Sequence, residues 1–321
     1  MGLLERESSF GSKMMVSRGP MSLDTWKGLV KGEVLPQEPL RKYTTFRIGG
    51  PAEWMIFPLD FRDVQAAVAY AHEQGIKFFV LGGGSNLLVA DEGIPGVVLN
   101  LSKGFNYAHF QDTMVIVGAG YSLPRLVTEA VNRGLTGLEC ATGVPGTVGG
   151  AVRMNAGTRE TGIGEVITQL KLIQSDGTLK TLKQEDLKFQ YRESNLPAES
   201  IILEVVLNLR KGNQKTIRED IHRRLISRKA TQPLSYPNAG SIFKNPPGEY
   251  AGRLIEKVGL KGARVGDAEI SLLHGNFIVN KGSATAKDVM ALIRMARQKV
   301  WEETGIKLEL EVKLWGLNEE G

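Results

Sequence analysis

Apolar positions recur along this chain with two distinct periods. From Asp63 onward, Val64, Ala67, Val68 and Ala71 fall at helical spacing and Gly75 supplies a stop, which predicts an amphipathic helix. Residues 76–81 follow as a short buried strand that delivers the chain to a glycine run. Two further strands are predicted over 97–101 and 114–117. Ser122 then caps a helix whose apolar side is Leu123, Leu126, Val127, Ala130 and Val131, ended by Gly134. The runs 166–173 and 179–182 flank Ser175-Asp176-Gly177, a turn sequence that predicts a hairpin, and 201–209 adds another β-rich run. A helix with Ile217, Ile221 and Leu225 comes next, then a helical pattern over 251–258. A long helix opened by Ser283 buries Val289, Leu292, Ile293, Ala296 and Val300 and is terminated by Gly305. The last predicted strand, 307–314, alternates strictly, with Leu308, Leu310, Val312 and Leu314 on one side and Glu309, Glu311 and Lys313 on the other.

Mixed helices and strands without repeats predict an α+β protein, and the charge-dense stretch 211–215 marks a domain boundary. Residues 1–22 alternate Ser, Gly and charge without an apolar core, so they read as a disordered leader or an expression remnant, with Met21 a plausible native start. No apolar run is long enough to span a bilayer. The single cysteine, Cys140, excludes an intramolecular disulfide and fits a reducing, cytoplasmic setting; as a small buried hydrophobe it has no assigned role. Four histidines and one cysteine offer no ligand pair at useful spacing, so no metal site is expected. The net charge of +5 is spread among acids rather than gathered into a stripe with aromatics, which favours an anionic small substrate over nucleic acid.

Candidate chemistry begins with Leu81-Gly82-Gly83-Gly84-Ser85-Asn86, bare backbone at the end of a strand, where N–H groups can converge on a phosphate. A tight turn between core elements would account for it alone. A second run, Thr142 to Gly150, offers another such loop, and two of them can wrap one diphosphate ligand. Neither run matches the dinucleotide-binding G-x-G-x-x-G pattern. Arg192, beside Tyr191, can pair bidentately with a carboxylate, although a loop arginine is usually solvated. Ser241 follows Gly240 between two prolines, where the surrounding turn can fix its hydroxyl; it lacks a nucleophile elbow, so a proton-relay role stays open beside that of a plain turn. Glu311 on an alternating strand would ordinarily face water.

Six ordered segments, TTFRIGGPA, LGGGSNLL, TGVPGTVGGAVRMNAG, YRESNL, NAGSIFKNP and LELEV, together resemble the UDP-N-acetylenolpyruvoylglucosamine reductase family over residues 43–316. The resemblance implies a cytoplasmic flavoenzyme of peptidoglycan synthesis. It implies an FAD-binding domain of the p-cresol methylhydroxylase/vanillyl-alcohol oxidase type over about 43–212, built from two α+β subdomains (23–102 and 103–212). A C-terminal α+β substrate-binding domain (213–306) and a C-terminal strand that carries Glu311, with its tail (307–321), would follow. By the same resemblance FAD is non-covalent and NADPH is the co-substrate. Hydride passes to UDP-N-acetylglucosamine enolpyruvate, with Ser241 as proton donor and Arg192 and Glu311 as the other catalytic residues. FAD contacts are implied for Arg47, Leu81, Gly82, Gly83, Gly84, Ser85, Asn86, Gly143, Val144, Pro145, Gly146, Thr147, Gly149, Gly150, Ala151, Asn155 and Gly157. Substrate contacts are implied for Tyr191, Arg228, Gln232, Lys244, Asn245, Lys261 and His274, with Lys244, Asn245 or a water polarising Ser241. The chain is short where longer members insert a tyrosine-bearing loop, so it resembles the compact subtype, and a monomer without nucleic-acid or membrane partners is expected. The rival expectations are another FAD enzyme on the same fold, which has no use for all three catalytic positions together, and a colourless nucleotide-binding module.

Overall fold

The computed structural model of the protein describes residues 22–319. Of the predicted leader only Ser22 lies within them, and its side chain caps α1 (Leu23–Leu29). The chain continues through β1 (Glu33–Pro39), β2 (Pro51–Phe57), α2 (Phe61–Glu73), β3 (Phe78–Leu81), β4 (Leu87–Val89) and β5 (Ile94–Asn100). Strands β1, β2, β5 and β3 form one sheet in that order, antiparallel at β1·β2 and parallel thereafter. Both faces of this sheet are covered. Successive β2 side chains therefore enter different cores: Trp54 and Ile56 join the large one, Met55 and Phe57 a smaller one with Leu40, Leu87 and Val89.

Helix α2 buries the predicted stripe, but Asp60 is its cap and Asp63 lies inside the first turn. Asp63 is 3% exposed, and its carboxylate accepts the N–H groups of Lys31, Gly32 and Leu59, joining the α1–β1 connection to the start of α2. The predicted buried strand 76–81 differs from the outcome: β3 starts at Phe78 and Val80 is 36% exposed, because this end of the strand lines a cavity rather than a core.

The second unit comprises β6 (Ala108–Gln111), β7 (Met114–Gly118), α3 (Leu123–Asn132), β8 (Leu135–Thr136), α4 (Val148–Arg153), β9 (Ile167–Ile173), β10 (Leu179–Lys183), β11 (Phe189–Gln190), β12 (Glu193–Ser194), β13 (Ile201–Asn208) and β14 (Arg210–Lys211). Strands β10, β9, β13, β7 and β6 make an antiparallel sheet in that order, with the β9–β10 hairpin turning at the predicted site. Ser122 caps α3 as expected. This sheet and α3 share one continuous core with α2 and β2.

The remaining residues form α5 (Gln214–Thr231), α6 (Ala251–Lys257), the antiparallel sheet β15 (Arg264–Val265), β16 (Ala268–Ile270) and β17 (Ile278–Asn280), then α7 (Ala286–Thr304) and β18 (Lys313–Trp315). Thr285, not Ser283, caps α7 through a capping box with Asp288; Ser283 is still in the preceding turn, held by Asp267. Asp91 reaches across from the first unit to accept the N–H groups of Ala286 and Lys287. The predicted strand 307–314 shrinks to β18, which pairs in parallel with β4. Upstream of it the alternation reflects burial of Leu308 and Val312, but the neighbouring chain is the loop 242–244 and supplies only an isolated bridge, Phe243 to Leu310. Among the described residues no helix is long and apolar enough to cross a membrane.

Asp63→Ala would leave three backbone donors without their acceptor. We expect a loss of about 2–4 kcal/mol in stability, read as a lower urea midpoint at unchanged slope; an unmoved midpoint would mean these bonds contribute nothing net.

Candidate active site

The two glycine loops pack directly on each other. A Cβ on Gly83 would sit 2.6 Å from the Cα of Gly146, and one on Gly82 would sit 2.6 Å from the Thr147 hydroxyl. Gly84 has φ +59°, and a side chain there would also collide with the Tyr43 carbonyl. The Ser85 hydroxyl donates to the Pro145 carbonyl at 3.0 Å and ties the loops together. Among the described residues no protein acceptor takes the backbone N–H groups of residues 82–86, 146 and 147. Bare, convergent donors of this kind suit a diphosphate. The loops wall a cavity of about 740 Å³.

Ser241, Glu311 and Arg192 line the same cavity, each placed by a different segment. Ser241 follows Gly240 (φ +76°), whose N–H is accepted by Asn238. The next two residues are bolted down on one side by buried Asn276, which bonds both the N–H and the carbonyl of Phe243 while its own carbonyl accepts the Ile242 N–H. On the other side Ile242 accepts the N–H of Glu311 at 2.8 Å, and Lys244 donates its N–H to the Glu309 carbonyl. The backbone that carries Ser241 is therefore fixed on both sides.

Arg192 sits in the tight β11–β12 connection with φ 60°. Its Nε donates to Glu311 Oε1 at 2.6 Å and its Nη1 to the Gly157 carbonyl at 3.0 Å. Burial pushes the Glu311 carboxyl above the usual glutamate value, and the Arg192 guanidinium opposes that rise. Arg228 faces the cavity as well, its Nε buried without a partner. Burial and the positive charge of Arg192 push its pKa down. Arg192 and Arg228 thus border a space in which the Glu311 carboxylate is already engaged.

Of the residues implied to hold FAD, 81–86, 144–147, 149–151 and Gly157 line the cavity, and Gly157 also anchors Arg192. Three do not. Arg47 is exposed between Phe46 and Ile48, whose side chains enter the C-terminal core. Gly143 (φ +70°) abuts the Arg228 side chain. Asn155 donates to the Gln190 carbonyl and accepts from the Gly164 N–H, bracing the hairpin that carries Arg192. Of the implied substrate contacts, Arg228 and Gln232 line the cavity and the others do not. Tyr191 lies under the Arg192 guanidinium, 4.9 Å from ring centroid to Cζ. Lys244 pairs with Glu309 at 3.5 Å on a separate surface groove with α7, and Asn245 accepts the Ala251 N–H at the start of α6. Lys261 pairs with Glu256, and His274 accepts the Asn276 N–H on Nδ1 while its ring meets Phe277. Sequence reasoning missed Lys313, Arg153 and Phe277 on the cavity wall, and Asn276 behind it. For Lys313 the signal was present, since it shares an alternation face with Glu311.

Gly83→Ala should wedge the loops apart, and we expect the purified variant to lose the FAD that the resemblance implies while circular dichroism stays native. Retention of full colour would overturn this packing account. His274 offers a pH test. Burial lowers its pKa below 6.5 in the fold, so the unfolded chain takes up the proton first. Its contribution is present at neutral pH and is lost as pH falls below about 6.5. We expect His274→Asn, which keeps an acceptor for the Asn276 N–H, to flatten that part of the stability profile.

Comparison with known proteins agrees with this geometry. Residues 52–183 match the model of an FAD binding domain, and residues 232–315 match that of the UDP-N-acetylenolpyruvoylglucosamine reductase C-terminal domain. UDP-N-acetylenolpyruvoylglucosamine reductase 2 of Symbiobacterium thermophilum is 45% identical over 288 residues, covering 89% of this chain and 94% of that protein. The Bacillus subtilis reductase is 43% identical over 289 residues, covering 89% and 95%. The crystal structure of the Thermus caldophilus reductase superposes with TM-score 0.76 at 43% identity, covering 89% of this chain and 99% of that one. The loops that leave their N–H groups bare are thus those of an FAD-binding domain, and the chain belongs to the UDP-N-acetylenolpyruvoylglucosamine reductase family.

Proposed function

We propose that this chain reduces UDP-N-acetylglucosamine enolpyruvate to UDP-N-acetylmuramate in peptidoglycan synthesis, with NADPH as reductant and FAD held non-covalently by the two glycine loops. The observation that carries the reading is the convergence of Arg192, Ser241 and Glu311 on the cavity that those loops wall. When bound, FAD supplies a two-electron relay between NADPH and the enolpyruvyl double bond. The protein's part is charge and proton management. As that bond is reduced, negative charge moves toward the substrate carboxylate, where the Arg192 guanidinium can receive it. Arg192 is oriented beforehand by Glu311 and Gly157, so it has little reorganisation to undergo. Glu311, held to Arg192 at 2.6 Å, faces the same developing charge and assists there by hydrogen bonding. Ser241 delivers the second hydrogen as a proton to the adjacent carbon. Lys244 and Asn245 are engaged elsewhere, which favours water among the three groups expected to polarise it. Arg228, half-buried and without an ion pair among the described residues, suits the substrate diphosphate, with Gln232 beside it.

In this reading residues 43–212 are the FAD-binding region, divided near 102, and 213–306 bind substrate while 307–321 return Glu311 to the cavity. A monomer acting in the cytoplasm, without nucleic-acid or membrane partners, completes it.

Anaerobic mixing tests the assignment: the yellow protein should bleach with NADPH and recolour when UDP-N-acetylglucosamine enolpyruvate is added. Failure to recolour would sink it. Ser241→Ala should leave bleaching nearly intact and slow recolouring by on the order of 10²- to 10⁴-fold; equal losses in both halves would make Ser241 structural.

A further inference from the structure

Asn86 is the last residue of the first glycine loop, and the parallel ladder β4·β18 begins immediately after it with Lys313 opposite Leu87. The Lys313 N–H donates to the Asn86 carbonyl at 3.0 Å, as that register requires. The next bond of a parallel ladder would run from the backbone N–H of residue 86 to the carbonyl of residue 311. The chain makes a different bond. The side-chain Nδ2 of Asn86 donates to the Glu311 carbonyl at 3.0 Å, and the Asn86 backbone N–H has no protein acceptor among the described residues. The side-chain amide has taken the place of the backbone donor. That exchange lets the loop turn away from the ladder after Gly84 and releases one more N–H to the diphosphate cradle. It also fixes residue 311 from a second side, since its own N–H is held by Ile242, next to Ser241.

We infer that Asn86 is a positioning residue for Glu311, through which the cofactor loop sets the glutamate against Arg192. The inference rests on the proposed reduction, in which Glu311 acts on substrate. Asp at this position cannot donate when ionised, and Ala offers no side-chain donor, so both variants should free the Glu311 carbonyl. In each, the backbone N–H of residue 86 can return to the ladder only by leaving the cradle.

The test uses holoenzyme kept in excess FAD, comparing wild type, Asn86→Ala, Asn86→Asp, Glu311→Gln and the double variants. Because residue 86 also lies on the cofactor loop, each variant's own bleaching rate with NADPH is measured and serves as the baseline for its recolouring. Recolouring by the enolpyruvyl substrate should fall about tenfold to a hundredfold, the scale of a small misplacement. In the Glu311→Gln background the Asn86 change should cost little more, because the group it positions is gone. Carboxyl carbon-13 NMR of the holoenzyme supplies a readout independent of turnover: the Glu311 titration, raised in wild type, should move when Asn86 is replaced. Equal slowing in both Glu311 backgrounds, an unmoved titration, or variants that retain no FAD even in excess would overturn the inference. Failure of wild type to recolour would sink the proposed reaction instead, while the titration would still judge Asn86.

Discussion

The peptide unit of Glu311 is the constraint around which the cavity is organised. Its N–H is held by Ile242, its carbonyl by Asn86 and its carboxylate by Arg192, three segments far apart in the chain. A largely buried ion pair is a poor source of net stability, because desolvation offsets most of the Coulombic gain. Its value here is geometric. Moving any one of the three segments would shift the carboxylate relative to the serine turn and the glycine loops at once, so the site is assembled by tertiary structure rather than by any single motif.

Holding loops in this way requires hydrogen bonds where no regular ladder reaches, and asparagine side chains supply many of them. Asn155 braces the Arg192 hairpin, Asn276 clamps Phe243, and Asn280 joins the Phe46 carbonyl to the N–H groups of Gly282 and Ala284. An amide both donates and accepts, so one side chain can satisfy a carbonyl and an N–H that face different ways. The complementary strategy appears at the glycine loops, where donors are left open and side chains are excluded by contact.

The fold was legible wherever one face of an element is buried. The stripes of α2, α3 and α7 follow directly from helical spacing, and the β9–β10 turn from its Ser-Asp-Gly sequence. It was not legible where burial and pairing part company. Residues 307–314 alternate because Leu308 and Val312 are covered, yet pairing demands a partner strand, which among the described residues only Leu87–Val89 provides. The same gap explains the site. Glycine runs announce themselves because only glycine tolerates such contacts, but a polar residue such as Asn155 or His274 reads alike whether it meets a ligand or a neighbouring backbone. Its partner lies many residues away or depends on a turn not yet known. Glu311 was opaque on spacing for the converse reason: Glu309 and Glu311 share one side of the alternation, but only Glu311 meets the glycine loop and turns inward.

The contrast between Arg192 and Arg228 shows how the site divides its labour. Both guanidiniums face one cavity and repel each other, which lowers the pKa of Arg228 beyond the effect of its burial. Arg192 has its charge balanced by Glu311 and its orientation fixed by the Gly157 carbonyl, so in the proposed reaction it is preorganised at the point where charge develops. Arg228 has neither restraint among the described residues, and its buried Nε lacks an acceptor. Leaving a buried donor unsatisfied costs free energy that an anion entering the cavity can recover. In the proposed reaction binding strength and catalytic precision are therefore assigned to different cations: one is left unsatisfied so that it attracts, the other is satisfied in advance so that it does not move.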